Sequence, residues 1–297
     1  MNDGKMKHAY LISAYKNPEQ VHRLISTLDA DNTFFFLHID KKFDDKPFRE
    51  KLIDLSDKIQ YLKRERIEWG GFGIVKAAVT GFKAIDKAGG FDYLHFMTAQ
   101  AYPIKPRNKT EDFFIENYGK SFINHYSLPR GWQYRINKYH IGKRRNQSKI
   151  HEKLLSYLNQ FVGKTGIFKR KHPESLKPFN GEGGMSLHKS ALQYILEYLK
   201  KNPRFLDFHK YSFAPDEMIF QTILLNHPEE KFRENLIDIV LYYVDWTRPG
   251  AKYYPITFGV EDFEELKNSD KLFARKFDLD YDSKILDLID EKLLGKK

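Results

Sequence analysis

Across the first hundred residues, apolar runs of strand length alternate with segments of helical period, and few folds accept that pattern. Residues 8–15 read as a buried strand. Pro18–Leu28 has Val21, Leu24, Ile25 and Leu28 on one helical face, and Thr33–Ile39 is a second strand that ends at Asp40. A short helix is expected over 48–55 and a third strand over 59–62. A longer helix, Gly73–Ala88, is closed by Gly89-Gly90, and a fourth strand follows over 93–97. Strands alternating with helices imply βαβ units and a mostly parallel sheet, an α/β fold. Ligands of such sheets lie beyond the carboxyl ends of the strands. Here those ends are Tyr15-Lys16, Asp40-Lys41 and Thr98-Ala99-Gln100-Ala101.

The rest of the chain is less regular. A helix is expected over 111–118, a strand over 121–125 and a helix over 150–161. Further helices are expected over 189–200 and 216–225, a strand over 237–244 and a terminal helix over 283–294. No Pro/Ser-rich linker interrupts the chain. The expected organisation is one domain over 1–297, with an α/β half at 1–126, a basic insert at 127–178 and an elaborated C-terminal half at 179–297.

The net charge of +10 is concentrated in that insert. Residues 130–171 hold twelve Lys or Arg and one acid, Glu152, which makes +11; the remaining 38 basic and 39 acidic residues sum to −1. A basic patch confined to one segment suits an acidic partner met locally, and no nucleic acid is expected. With no cysteine in 297 residues, disulfides, thiolate nucleophiles and Cys-based zinc sites are excluded. No apolar run reaches membrane-spanning length, and the apolar stretch 9–14 after Lys5 and Lys7 is too short for a signal peptide. A cytoplasmic setting is expected.

Phosphate-loop and dinucleotide glycine motifs are absent. Asp29-Ala30-Asp31 and Asp278-Leu279-Asp280-Tyr281-Asp282 contain Asp-x-Asp but read as solvated loop acids, and His38 with Asp40 makes a thin metal site. Asp40, at a strand end, either contacts a nucleotide or caps the following turn. Pro215-Asp216-Glu217 precedes an apolar run of helical spacing. That places Glu217 in a helical first turn, where the helix dipole favours an ionised carboxylate; it is either a base or an ordinary helix-start residue. Phe179–Ser186 is glycine-dense, either a turn or a backbone open to close approach by a ligand. Arg275-Lys276 stands in the frame Leu272-Phe273-Ala274…Phe277, whose burial should fix two cations in a geometry suited to a diphosphate.

These segments together resemble the core-2/I-branching β-1,6-N-acetylglucosaminyltransferase family, which includes protein O-xylosyltransferases. The resemblance rests on Ala9-Tyr10-Leu11-Ile12-Ser13-Ala14-Tyr15, Leu37-His38-Ile39-Asp40-Lys41-Lys42, Trp69-Gly70-Gly71-Phe72 and residues 93–104. It continues in Phe213-Ala214-Pro215-Asp216-Glu217, Val244-Asp245-Trp246 and residues 272–278. It implies a GT-A-like nucleotide-sugar-binding domain and an inverting transferase that needs no metal or other cofactor. Its donor is a UDP-sugar: UDP-N-acetylglucosamine is expected first and UDP-xylose second.

Glu217 is then the general base, with Asp216 capping the helix. Ala14, Tyr15, Asp40 and Trp69 lie along the donor, and Arg275, Lys276 and either Arg248 or Lys252 face the diphosphate. Gly181 and Glu182 lie on the acceptor side. The chain departs from the family at Ala101, where an Asp is common, and at Glu182, where a smaller residue is common; both bear on sugar specificity. The implied partners are a glycan or lipid-linked glycan acceptor and, through residues 130–171, an anionic membrane at its inner face. A rival from another class is a non-catalytic polyanion-binding protein on a degenerate transferase fold, for which Ala101 speaks. A sugar-phosphate or nucleotide-processing enzyme on a related sheet is a third reading.

Overall fold

The computed structural model describes residues 5–140, 157, 170, 176–249 and 255–296. Strand β1 (His8–Ala14) pairs in parallel with β2 (Thr33–Ile39) on one side and with β4 (Tyr93–Thr98) on the other. β3 (Ile59–Tyr61) extends the sheet beyond β2, again in parallel. Past β4 the direction reverses at β9 (Met185–His188), which runs antiparallel to both β4 and β6 (Ser121–Ile123). β10 (Leu236–Ile237) pairs in parallel with β6, giving the order β10-β6-β9-β4-β1-β2-β3. The sheet is thus mostly parallel, as the alternation of elements predicts.

Both faces of β1 are covered, which is why apolar residues run consecutively through its centre, Ala9 to Ile12, instead of alternating with polar ones. Tyr10, Ile12 and Ala14 point to a core shared with Val21, Leu24 and Ile25 of helix Pro18–Leu28 and with Ile285 and Ile289 of helix Lys284–Lys292. Ala9 and Leu11 point the other way, onto Val75 and Phe82 of helix Gly73–Ala88 and the helices Lys189–Lys201 and Ile219–Leu225.

A second sheet joins the two ends of the sequence. β12 (Phe273–Arg275) pairs in parallel with β11 (Tyr242–Tyr243) and antiparallel with β5 (Ala101–Pro103), so Arg275 lies opposite Ala101. A two-stranded ribbon, β7 (Tyr126–Ser127) with β8 (Phe179–Asn180), closes the neck of the basic insert.

Several expectations need correction. The strand expected over 237–244 divides between two sheets. Asp238 turns the chain by accepting from Asn124 Nδ2 at 2.9 Å and from the His125 amide at 2.8 Å, and Ile239 N–H folds back onto the Ile237 carbonyl. The helix expected over 111–118 starts earlier, as Arg107–Glu116, because Pro106 supplies its entry and Arg107 pairs with Glu111 one turn on. The segment 48–55 is helix Lys46–Lys51 followed by a tighter turn, Ile53–Leu55. Asp278 is no solvated loop acid: it receives Lys16 Nζ and, at 2.8 Å, Asn17 Nδ2. The helix expected over 150–161 lies outside the described residues.

Candidate active site

The parallel strands end side by side, and the loops that follow them converge. Ala14 is buried, and its carbonyl accepts the Asp40 amide at 2.9 Å. Tyr15 rests against Phe43 and donates to Gln100 Oε1 at 3.2 Å. The Gln100 carbonyl in turn accepts the Phe277 amide at 2.9 Å, which holds Lys276 at the same edge. Asp40 is 4 % exposed; its Oδ1 accepts the amides of Lys42 at 3.0 Å and Ile67 at 3.3 Å. Its carboxylate therefore organises the loop leading to Trp69. His38 Nε2 accepts the Glu65 amide at 2.9 Å, which anchors the same loop.

That loop leads to the turn carrying Glu217. Gly70 has φ +67°, a left-handed conformation suited to glycine, and its carbonyl accepts the Ala214 amide at 2.8 Å. The exposed Trp69 ring meets Phe213 edge to face at 5.5 Å between centroids. Trp69, Arg66, His140, Ser212 and Phe213 line an open cavity.

Glu217 is not in the first turn of an α-helix, which corrects the expectation from sequence. Pro215–Glu217 forms one 3₁₀ turn, Met218 leaves helical geometry at φ −135°, and the α-helix begins at Ile219. The helix dipole is therefore not what holds the carboxylate. Arg135, 3 % exposed, does so instead, donating from Nη2 to Glu217 Oε2 at 2.6 Å. The same guanidinium donates to Asn180 Oδ1 at 2.5 Å and to the carbonyls of Phe213 and Ala214 at 3.2 and 3.3 Å. The rings of Trp132 and Phe213 lie 5.3 and 5.7 Å from it.

This fork stabilises a strained turn: Ala214 is left-handed at φ 46°, which is unfavourable for alanine and more so before proline. The Glu217 side chain is 40 % exposed, and Oε1 has no hydrogen bond among the described residues. One oxygen is thus anchored and the other open to a ligand.

Around Glu217 the charges are dense. Asp216, half-buried, caps no helix; burial and then the Glu217 charge push its carboxyl up to about 7. Glu182 is raised by burial and, less, by Glu217, against the opposing pull of Arg275. Burial pulls the Arg275 guanidinium down, and its Nε is sealed from solvent without a hydrogen-bond partner among the described residues. Gly181 has a packing reason for its identity, since a Cβ there would collide with the Asn124 carbonyl oxygen. Its amide donates to the Glu217 carbonyl at 2.8 Å.

The structure thus gathers Glu217, Gly181, Glu182 and Arg275 in one place, with Tyr15 and Lys276 on the adjoining strand ends. Arg248 is engaged elsewhere: Asp245 and Asp262 accept from it and Glu265 lies 3.9 Å away, so it ties two loops together. Lys252 lies outside the described residues. Sequence reasoning missed Arg135, which reads there as one of twelve cations. The available signal was its aromatic frame, Trp132, Tyr134 and Tyr139, of the kind that singles out Arg275-Lys276.

A mostly parallel sheet with an acid and cations facing each other beyond its strand ends has the architecture of a GT-A-like glycosyltransferase. The family model described as core-2/I-branching enzyme matches residues 8–267, and the chain belongs to that family. It is similar to xylosyltransferase 2 of Rattus norvegicus, 23% identical over 310 residues, covering 97% of this chain and 34% of that protein. It is also similar to xylosyltransferase oxt of Drosophila melanogaster, 23% identical over 299 residues, covering 93% of this chain and 32% of the relative. The chain spans about a third of the length of these relatives.

Proposed function

We propose that the chain transfers a sugar from a UDP-sugar to a hydroxyl of a glycan acceptor, with inversion and without a metal ion. The observation that carries this reading is the half-anchored carboxylate of Glu217, with the Arg275 guanidinium in the same group. Glu217 Oε1 takes the proton of the acceptor hydroxyl as its oxygen attacks C1 of the donor. The bond from C1 to the diphosphate breaks on the opposite face, and UDP leaves with its charge against Arg275 and Lys276. Tyr15, Asp40 and Trp69 lie along the nucleotide in this arrangement. UDP-N-acetylglucosamine is the first donor to test; the names of the relatives favour UDP-xylose as the second. The +11 charge of residues 130–171 supports an acidic or lipid-linked acceptor presented at an anionic surface.

The test is UDP release from a panel of UDP-sugars by the purified protein, which needs no knowledge of the acceptor. Release is expected with one donor and is expected to survive EDTA. Loss on chelation with recovery in manganese overturns the metal-free mechanism. No release and no UDP binding overturn the donor assignment.

A further inference from the structure

We propose that the cavity at the amino ends of β1 and β2 is a second binding site, built for a small planar carboxylate that also carries a hydroxyl. Residues of both larger sheets line it. His8 and Thr33 open β1 and β2, and Pro103 and Phe273 are paired across β5 and β12. The candidate active site lies past the other end of β1, about 20 Å away at the rise of an extended strand. The inference goes beyond the UDP-sugar reading and does not depend on it.

Two polar groups in this lining lack partners. His8 is 2 % exposed, and its Nε2 has no hydrogen bond among the described residues. Its Nδ1 is taken by His95 Nε2 at 2.9 Å, and His95 Nδ1 lies 2.9 Å from Ser186 Oγ. Burial pulls the His8 imidazole down to about 4, so the ring is neutral at pH 7 and its Nε2 either donates or accepts. A hydroxyl answers both tautomers. The Tyr10 hydroxyl, on the same face of β1, has no hydrogen bond among the described residues either. Buried polar groups are seldom left orphaned, and two in one cavity point to a ligand. The His8 and Tyr10 rings stand 6.4 Å apart with planes 30° from parallel, a nearly flat wall that suits a planar ring. The charge of the lining supplies the carboxylate: Lys105, Arg107 and Lys296 stand against Glu111 alone. Arg107 pairs with Glu111 at 2.8 Å and Lys296 with Asp290 at 3.1 Å. Lys105 Nζ reaches only the Lys267 carbonyl, at 3.1 Å, and has no ion pair among the described residues. It is the cation left for an anionic ligand.

The probe is 4-hydroxybenzoate, titrated against the full chain and followed by broadening of the probe's own NMR signals. Saturable binding is expected, with the same affinity in the presence of excess UDP. Lys105→Ala should weaken it about five- to tenfold and leave the binding of neutral 4-hydroxybenzamide unchanged. Wild type should prefer 4-hydroxybenzoate to benzoate by about three- to tenfold. Tyr10→Phe removes only a hydroxyl without a partner, so the fold is kept, and it should shrink that preference. The absence of saturable binding, displacement of the probe by UDP, or full affinity in Lys105→Ala overturns the proposal and leaves a water-filled space. Equal affinity of wild type for benzoate and 4-hydroxybenzoate overturns it as well. A failure of UDP-sugar turnover touches none of these results.

Discussion

The α/β half and the half that carries Glu217 are built on different principles. In the first, β1, β2 and β4 are six or seven residues long and bonded along their length, between two apolar layers. In the second, β8, β10 and β11 are two residues each. Single side chains carry the load there: Arg135 binds Glu217, Asn180 and two carbonyls, Asn226 bridges to Lys177, and Arg248 joins Asp245 to Asp262. Repeated weak contacts tolerate a single loss, and a fork holding four acceptors does not. The site sits where the second principle meets the edge made by the first.

Four substitutions probe this division, in falling order of expected effect. Glu217→Gln should cut sugar transfer by about 10²–10⁴ and leave UDP affinity unchanged in titration calorimetry; near wild-type turnover removes the base assignment. Leu24→Ala opens a cavity in the first half at a fully buried position. It should cost about 2–5 kcal/mol, read as a melting temperature roughly 5–15 °C lower, with turnover at 20 °C close to wild type. Arg135→Lys keeps the charge and loses the fork. A cost of about 1–3 kcal/mol is expected from the unmet acceptors, with turnover falling at least tenfold at 20 °C. If Leu24→Ala impaired turnover more than Arg135→Lys, the two halves would not differ as described.

The effect of Asp216→Asn depends on pH. An unfolded Asp titrates near 3.9 and the native carboxyl at about 7. Between those values the native state holds the extra proton, so the stability contributed by this group falls as pH rises through that window. Wild type and variant should melt together near pH 4, and the variant should melt higher above pH 7. Parallel melting curves from pH 4 to 8 contradict the raised carboxyl.

The same division decides what could be read in advance. Helices Pro18–Leu28 and Gly73–Ala88 and strand Thr33–Ile39 have the limits that periodicity predicts, because their pattern records two apolar layers at fixed spacing. The turn at Glu217 defeats periodicity. The apolar run 218–225 has helical spacing, and nothing local announces that Met218 leaves helical geometry or that Arg135, 82 residues away, holds the carboxylate. Strand Phe273–Arg275 is too short to show an alternation, and its pairing with β5 spans most of the chain. Arg275-Lys276 is legible through its apolar frame, whereas the environment that separates Asp216 from Glu217 exists only once the glycine loop is packed.

Arg170 has a consequence of its own. Its amide donates to the Asn137 carbonyl at 3.2 Å, and its guanidinium lies 3.9 Å from the Phe208 ring centroid and bonds the Phe208 and Lys138 carbonyls. Arg170 thus clasps the backbone just beyond Arg135, the residue that anchors Glu217, to the helix Pro203–His209. The turn that carries the carboxylate follows that helix directly, so one cation outside the site fastens both the segment that bears Arg135 and the approach to Glu217.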